Sequence, residues 1–144
     1  LRDPAQRLQL PPSGNDAMSF EYPITVRGYE MDSFGHVNNA VYLNYMEQAR
    51  WEILKKRELF DYFREHGLVL VVTDAMVHYS REAKVFDELV VCTDIERDPP
   101  YLVFDQVIRD AASGSVITRG TVKTLLVDSD RIPHDIPDFF LTGR

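Results

Sequence analysis

Asp32 stands just ahead of Gly35, His36, Asn38 and Asn39, and the segment then runs straight into an amphipathic stretch that begins at Ala40. A carboxylate can attack a carbonyl carbon or deprotonate a water. The free N–H groups at a helix start can hold the oxygen on which negative charge then develops. An acid one turn of loop away from such donors is the arrangement acyl transfer needs. Each residue also has a plainer reading. Asp32 can be a turn residue bonded to its own loop, and His36 either a proton carrier near the reacting atoms or a ring that holds the loop by hydrogen bonds. Asn38 and Asn39 can orient the loop and cap the helix, and capping alone accounts for at least one of them.

The elements that must position these residues follow from periodicity. Met18 to Val26 reads as a strand, with Phe20, Tyr22, Ile24 and Val26 on one side and Pro23 suited to an edge. Gly28 to Asn38 is loop, with Asn39 as the expected N-cap. From Ala40 to Arg57, Tyr42, Met46, Ala49 and Ile53 recur at helical spacing, with Leu43 and Leu54 widening the stripe. A second helix over Glu58 to Glu65 stops at His66-Gly67, where the glycine can take the left-handed cap. Four strands are predicted beyond it: Leu68 to His78, Glu88 to Glu96, Tyr101 to Arg109 and Ser115 to Val127. The short connections at Asp98 to Pro100 and Ala111 to Gly114 make the last three antiparallel neighbours. The tail from Arg131, with Pro133 and Pro137, reads as irregular or packed along the surface.

A chain of 144 residues, 44% apolar, is the size of one domain with a real core. Residues 1–17 lack both a periodic pattern and the apolar centre of a signal peptide, so they read as a flexible lead-in to a single domain over 18–144. The formal net charge of −7 argues against a nucleic-acid partner. A lone cysteine, Cys92, allows no internal disulfide, and its strand setting marks it as a buried structural thiol; the expected compartment is the cytoplasm. The longest apolar run, Leu68 to Val72, is strand-sized, so no membrane association is expected. His36, His66, His78 and His134 show no metal-ligand spacing, and neither metal nor cofactor is expected. The chain also lacks a G-x-S-x-G elbow, a Walker lysine loop and a G-x-G-x-x-G turn, which removes serine hydrolases, nucleotide hydrolases and dinucleotide enzymes.

One long helix and one antiparallel sheet bury their apolar faces most economically when the sheet wraps around the helix, an α+β arrangement. At this point the chain resembles the single-domain hot-dog acyl-CoA thioesterases of the 4-hydroxybenzoyl-CoA thioesterase class, and most closely the bacterial long-chain acyl-CoA thioesterases. The matching positions are Val26 to Tyr29, Asp32, His36 to Ala40, Tyr42-Leu43 and Glu47 to Trp51, with a looser likeness through Tyr79 to Ala83. The resemblance implies a thioesterase of lipid metabolism that releases a free acid and coenzyme A. Asp32 would be its nucleophile or general base. Gly35, His36, Asn38, Asn39 and Tyr42 would lie around the oxyanion and the substrate, with backbone N–H groups of Gly35 to Asn39 as donors. Arg27, Arg81 and Lys84 are candidates for the coenzyme's phosphates or pantetheine arm.

Plant acyl-carrier-protein thioesterases are similar here too, but they carry an asparagine two residues after the aspartate, where this chain has Phe34. A related subfamily places its carboxylate on the central helix; Glu47 holds that ground, although an i,i+3 ion pair with Arg50 is its expected role. Hot-dog hydratases or dehydratases space their Asp and His by five, whereas Asp32 and His36 are spaced by four. A non-catalytic acyl-thioester-binding protein is the remaining alternative. Protomers of this class pair their sheets, so a homodimer or homotetramer is expected.

Overall fold

A computed structural model describes residues 19–143. The lead-in expected over residues 1–17 lies outside that range. The chain forms β1 (Phe20–Thr25), a 3-10 turn (Gly28–Glu30), α1 (Asn39–Lys56), α2 (Leu59–His66), β2 (Val69–Tyr79), β3 (Glu88–Asp98), β4 (Tyr101–Asp110), β5 (Val116–Val127), β6 (Pro133–His134) and α3 (Phe139–Thr142). The sheet is antiparallel in the order β1-β3-β4-β5-β2, with the short β6 paired to β5. Pro23 falls in the edge strand β1, where a missing ladder donor is tolerated. The three hairpin-linked strands pair in the expected sequence.

The helix α1 contains neither Gly nor Pro, and Lys55 and Lys56 complement the negative end of its dipole. It buries Tyr42, Tyr45, Met46, Ala49 and Ile53. Leu43, expected to widen this stripe, is 37% exposed; Tyr45 takes the inward position instead. The N-cap is Asn38 rather than Asn39, because the Asn38 Oδ1 accepts from the Ala40 N–H at 3.0 Å while Asn39 is already helical. Gly67 ends α2 with φ +63°, as its left-handed cap requires.

Rows of side chains across the sheet face α1. One such row is Thr93, Gln106 and Gly120, aligned by register. The buried Gln106 Nε2 donates to the Met46 carbonyl at 2.9 Å and to Thr93 Oγ1 at 3.0 Å, while its Oε1 accepts from Arg50 at 3.0 Å. This ties helix to sheet with every polar atom of the amide matched. It also replaces the expected Glu47–Arg50 pair: the guanidinium turns inward to Gln106, and Glu47 makes no ion pair among the described residues.

The apolar core divides in two. One cluster gathers Val26, Val37, Tyr42, Tyr45, Met46, Ala83, Val91 and Ile108 below the start of α1; the other gathers Leu59, Leu102, Phe104, Val122, Leu126 and Phe140 toward its end. Each fully buried large side chain stabilises the fold by about 1.5–3 kcal/mol. The tail is therefore not merely irregular. Ile136 and Phe140 are 4% and 1% exposed and close the second cluster.

Candidate active site

The segment between β1 and α1 is built as a small closed loop. Met31 and Val37 form an antiparallel bridge, and the Asp32 N–H donates to the His36 carbonyl at 2.7 Å. Gly35, at φ +81°, supplies the left-handed residue that closes the turn. Inside it the Asp32 Oδ1 accepts from the backbone N–H groups of Phe34 at 2.8 Å and His36 at 3.2 Å. These two bonds, that from His36 first, hold the Asp32 carboxyl below the usual aspartate range. Oδ2 accepts no hydrogen bond among the described residues. The plain reading of Asp32 as a self-bonded turn residue is thus true of one oxygen and not of the other.

The far end of the loop meets the helix start. Asn38 donates its N–H to the Glu30 carbonyl at 2.9 Å and caps the Ala40 N–H with its side chain; its own carbonyl accepts from Val41 at 2.9 Å. The Asn39 N–H, between these, finds no acceptor among the described residues. It is a free donor at the positive end of an 18-residue helix. The Asn39 carbonyl is anchored by the Tyr79 hydroxyl at 2.8 Å.

His36 Nε2 lies 3.0 Å from Glu82 Oε2, which fixes the ring against the segment after β2. Tyr42 is 3% exposed, and its hydroxyl accepts from the Ala83 N–H at 3.0 Å, while the Ala83 carbonyl accepts from the Val37 N–H at 2.9 Å. Ala83 is thereby clamped between loop and helix. Burial, offset in part by that bond, pushes the Tyr42 hydroxyl up, so it stays protonated. Arg81 and Lys84 flank Ala83, are exposed, and form no ion pair among the described residues. Arg27 differs. Its guanidinium is 2.8 Å from Glu30 Oε2, a commitment that leaves it half-exposed at the rim.

Sequence reasoning missed Glu30 and Glu82. Glu30 is 5% exposed and accepts from the Arg27 N–H, the Arg27 guanidinium and, at 2.7 Å, the Tyr45 hydroxyl. Burial pushes its carboxyl up, but the two Arg27 bonds and the Tyr45 bond together outweigh it and hold Glu30 below the ordinary glutamate value. It pins the entry of the Asp32 loop to α1. The Arg27-to-Glu30 spacing was visible in the sequence; the tyrosine fifteen residues on was not. No group of three or more His, Cys, Asp or Glu among the described residues could hold a metal.

A carboxylate loop leading into a helix wrapped by an antiparallel sheet defines the hot-dog class. The profile of the thioesterase-like superfamily matches residues 26–142, and the chain belongs to that family. It is 31% identical over 106 residues to the long-chain acyl-CoA thioesterase FadM of Escherichia coli, spanning 73% of this chain and 80% of that protein. It is 30% identical over 112 residues to the acyl-CoA thioesterase YbgC of Haemophilus influenzae, spanning 76% and 81%. Among solved structures it is similar to the probable thioesterase YbaW of Escherichia coli, with TM-score 0.77 and 27% identity over 83% of this chain and 92% of that one. The Synechocystis 1,4-dihydroxy-2-naphthoyl-CoA thioesterase Slr0204 shares the fold at TM-score 0.79 and 19% identity, over 86% and 96%.

Proposed function

We propose that this protein hydrolyses an acyl-CoA thioester to a carboxylic acid and coenzyme A, with Asp32 as the attacking carboxylate. The observation that carries this reading is the split Asp32 carboxylate, one oxygen held by two loop N–H groups and the other unengaged, beside a helix start whose Asn39 N–H has no acceptor. Oδ2 adds to the thioester carbon, and the carbonyl oxygen takes the charge against the helix-start donors around Gly35 to Asn39. Collapse breaks the C–S bond, releases the thiolate, which takes a proton from solvent, and leaves an acyl-aspartyl anhydride. Water then hydrolyses the anhydride and regenerates the carboxylate. A carboxyl held below its usual range is ionised at neutral pH, the form that direct attack requires.

Arg81 and Lys84, exposed and without ion pairs among the described residues, suit the coenzyme's phosphates, with Arg27 at the rim. His36, oriented by Glu82, and Asn38, through its cap, shape the loop, and Tyr42 lines the acyl side. We take residues 18–144 as one domain and, from the single cysteine, place it in the cytoplasm. We further propose a homodimer, or a homotetramer built from it. The edge strand β2 spans eleven residues and exposes Val69, Val72, Met76 and Tyr79 by 44–58%, an edge suited to pairing with a second copy.

The test is thiol release from a panel of acyl-CoA chains. Asp32→Ala should abolish release and retain binding; equal rates in mutant and wild type would overturn the assignment. If water opens the anhydride at the aspartyl carbon, a single turnover in heavy-oxygen water gives a first product acid without label and leaves the label in Asp32. A labelled first product would instead mean that water attacks the acyl carbon, of the thioester or of the anhydride.

A further inference from the structure

Thr118 is fully buried, and its Oγ1 finds no hydrogen-bond partner among the described residues. A hydroxyl in that position loses its water bonds on folding and regains nothing inside the chain, which natural cores rarely tolerate without a use. Its place in the fold suggests that use. On β5 it sits in register between Ile108 of β4 and Tyr79 of β2, on the face turned toward α1. Tyr79 is the residue whose hydroxyl reaches the Asn39 carbonyl and whose ring packs edge-on against Tyr42 at 5.6 Å. Thr118 is therefore level with the first turn of the helix, just inside the Asp32 loop.

Immediately deeper on the same face lies Gly120. A side chain there would collide with Met46, because an added Cβ would stand 2.7 Å from its Sδ and 2.9 Å from its Cε. Met46 is wholly buried, so its thioether occupies the room that a side chain at 120 would otherwise fill. Methionine is unbranched and repacks easily, unlike the β-branched residues around it. Inward from the carboxylate loop, this face of the sheet thus presents a buried hydroxyl without a partner among the described residues and then a flexible side chain. The other hydroxyls of that half, those of Tyr42 and Tyr45, are already bonded, to the Ala83 N–H and to Glu30.

We propose that Thr118 is a specificity residue: it hydrogen-bonds an oxygen on the acyl group close to the thioester, so the protein prefers acyl chains that carry a hydroxyl or oxo group there over unsubstituted chains. This rests on the thioesterase reading above. A Thr hydroxyl can donate and accept, so it suits either group. A site built to bond a substrate oxygen disfavours the analogue lacking it, since the protein group is then left unpaired.

The experiment compares kcat/KM for decanoyl-CoA with that for the same chain bearing a hydroxyl or an oxo group on the β- or γ-carbon, using the full chain. Wild type should favour one of the oxygenated chains by about tenfold or more. Thr118→Val keeps the side-chain shape without the hydroxyl and should cut that ratio to below about twofold; Thr118→Ser should keep the preference. A ratio unchanged in Thr118→Val overturns the proposal. So does a wild type without preference. Calorimetric titration of the same CoA esters into Asp32→Ala separates the two readings. Tighter binding of the oxygenated ester, lost on adding Thr118→Val, upholds Thr118 even if no ester is hydrolysed, in which case catalysis alone fails. Equal binding of all esters overturns Thr118.

Discussion

The two halves of the core are built on different terms. Around the end of α1, Tyr62, Phe63, Phe139 and Phe140 pack ring against ring at centroid distances of 5.0–6.4 Å, over the aliphatic side chains of Leu59, Leu102 and Leu126. Below its start the core is threaded with polar groups. Glu30, Tyr42 and Tyr45 are buried there with their bonds satisfied, Thr118 with no partner among the described residues, and a flexible methionine fills the centre. Apolar aromatic packing has one low-energy arrangement and resists change. A polar, partly unsatisfied region is less stable for its size, and that is where a ligand finds partners. The contrast separates a half that holds the molecule together from the half in which we propose the chemistry takes place.

The sharpest way to test that separation is to alter one half and read the other. Asp32→Ala should lower kcat by about 10⁴-fold while the thermal midpoint stays within a few degrees of wild type, because the lost bonds are local to an exposed loop. Phe140→Ala should do the converse. Removing a fully buried ring from the aromatic half should cost about 3–5 kcal/mol in denaturant unfolding and leave the rate per folded molecule nearly unchanged. A fall in the rate per folded molecule in Phe140→Ala, or a large fall in the thermal midpoint in Asp32→Ala, would show that the two halves are not independent.

A smaller effect is expected from Tyr45→Phe. Deleting one of the donors to buried Glu30 should cost about 1–3 kcal/mol and loosen the Asp32 loop, with KM rising more than kcat falls. The same network gives a pH signature. Because Glu30 releases its proton more readily folded than unfolded, its contribution is present above the ordinary value of 4.5 and is lost as pH falls through the folded value. Asp32, also held low, acts in the same direction from 3.8 downward. Thermal midpoints on acidification should therefore fall more steeply in wild type than in Glu30→Gln. Parallel curves would assign the acid sensitivity elsewhere.

The smallest change is Gly120→Ala. The new methyl must push aside the flexible end of Met46, which should cost about 1 kcal/mol, and it should reduce activity on the longest chains first. An equal effect on every chain length would place Met46 outside the acyl path.

Much of this was legible from residue order. Alternation identified β1 and β3, valine-rich or β-branched runs and bounding turn residues the other three main strands, and the stripe from Tyr42 to Ile53 the helix, because all of these are properties of a local backbone. Asp32 and Gly35 could be read as a loop for the same reason: a short side chain bonding its own backbone and a glycine at positive φ are events within five residues. The cap slipped by one residue, from Asn39 to Asn38, since adjacent asparagines carry the same propensity and only geometry chooses between them. Arg27 and Arg50 were read as free or helix-paired cations. Each instead found its partner through packing, in Glu30 and Gln106.

By itself, then, the sequence determined the five main strands and the two helices before Gly67, their order, the carboxylate loop and the helix start that follows it. The tertiary structure alone decided that Glu30 would be buried against Tyr45, that Glu82 would hold His36, that Met46 would lie over Gly120 and that Thr118 would be left without a partner among the described residues. Those four facts depend on strand register and on where the helix rests across the sheet. Both come from closing contacts between residues far apart in the chain, whose energies no local pattern records.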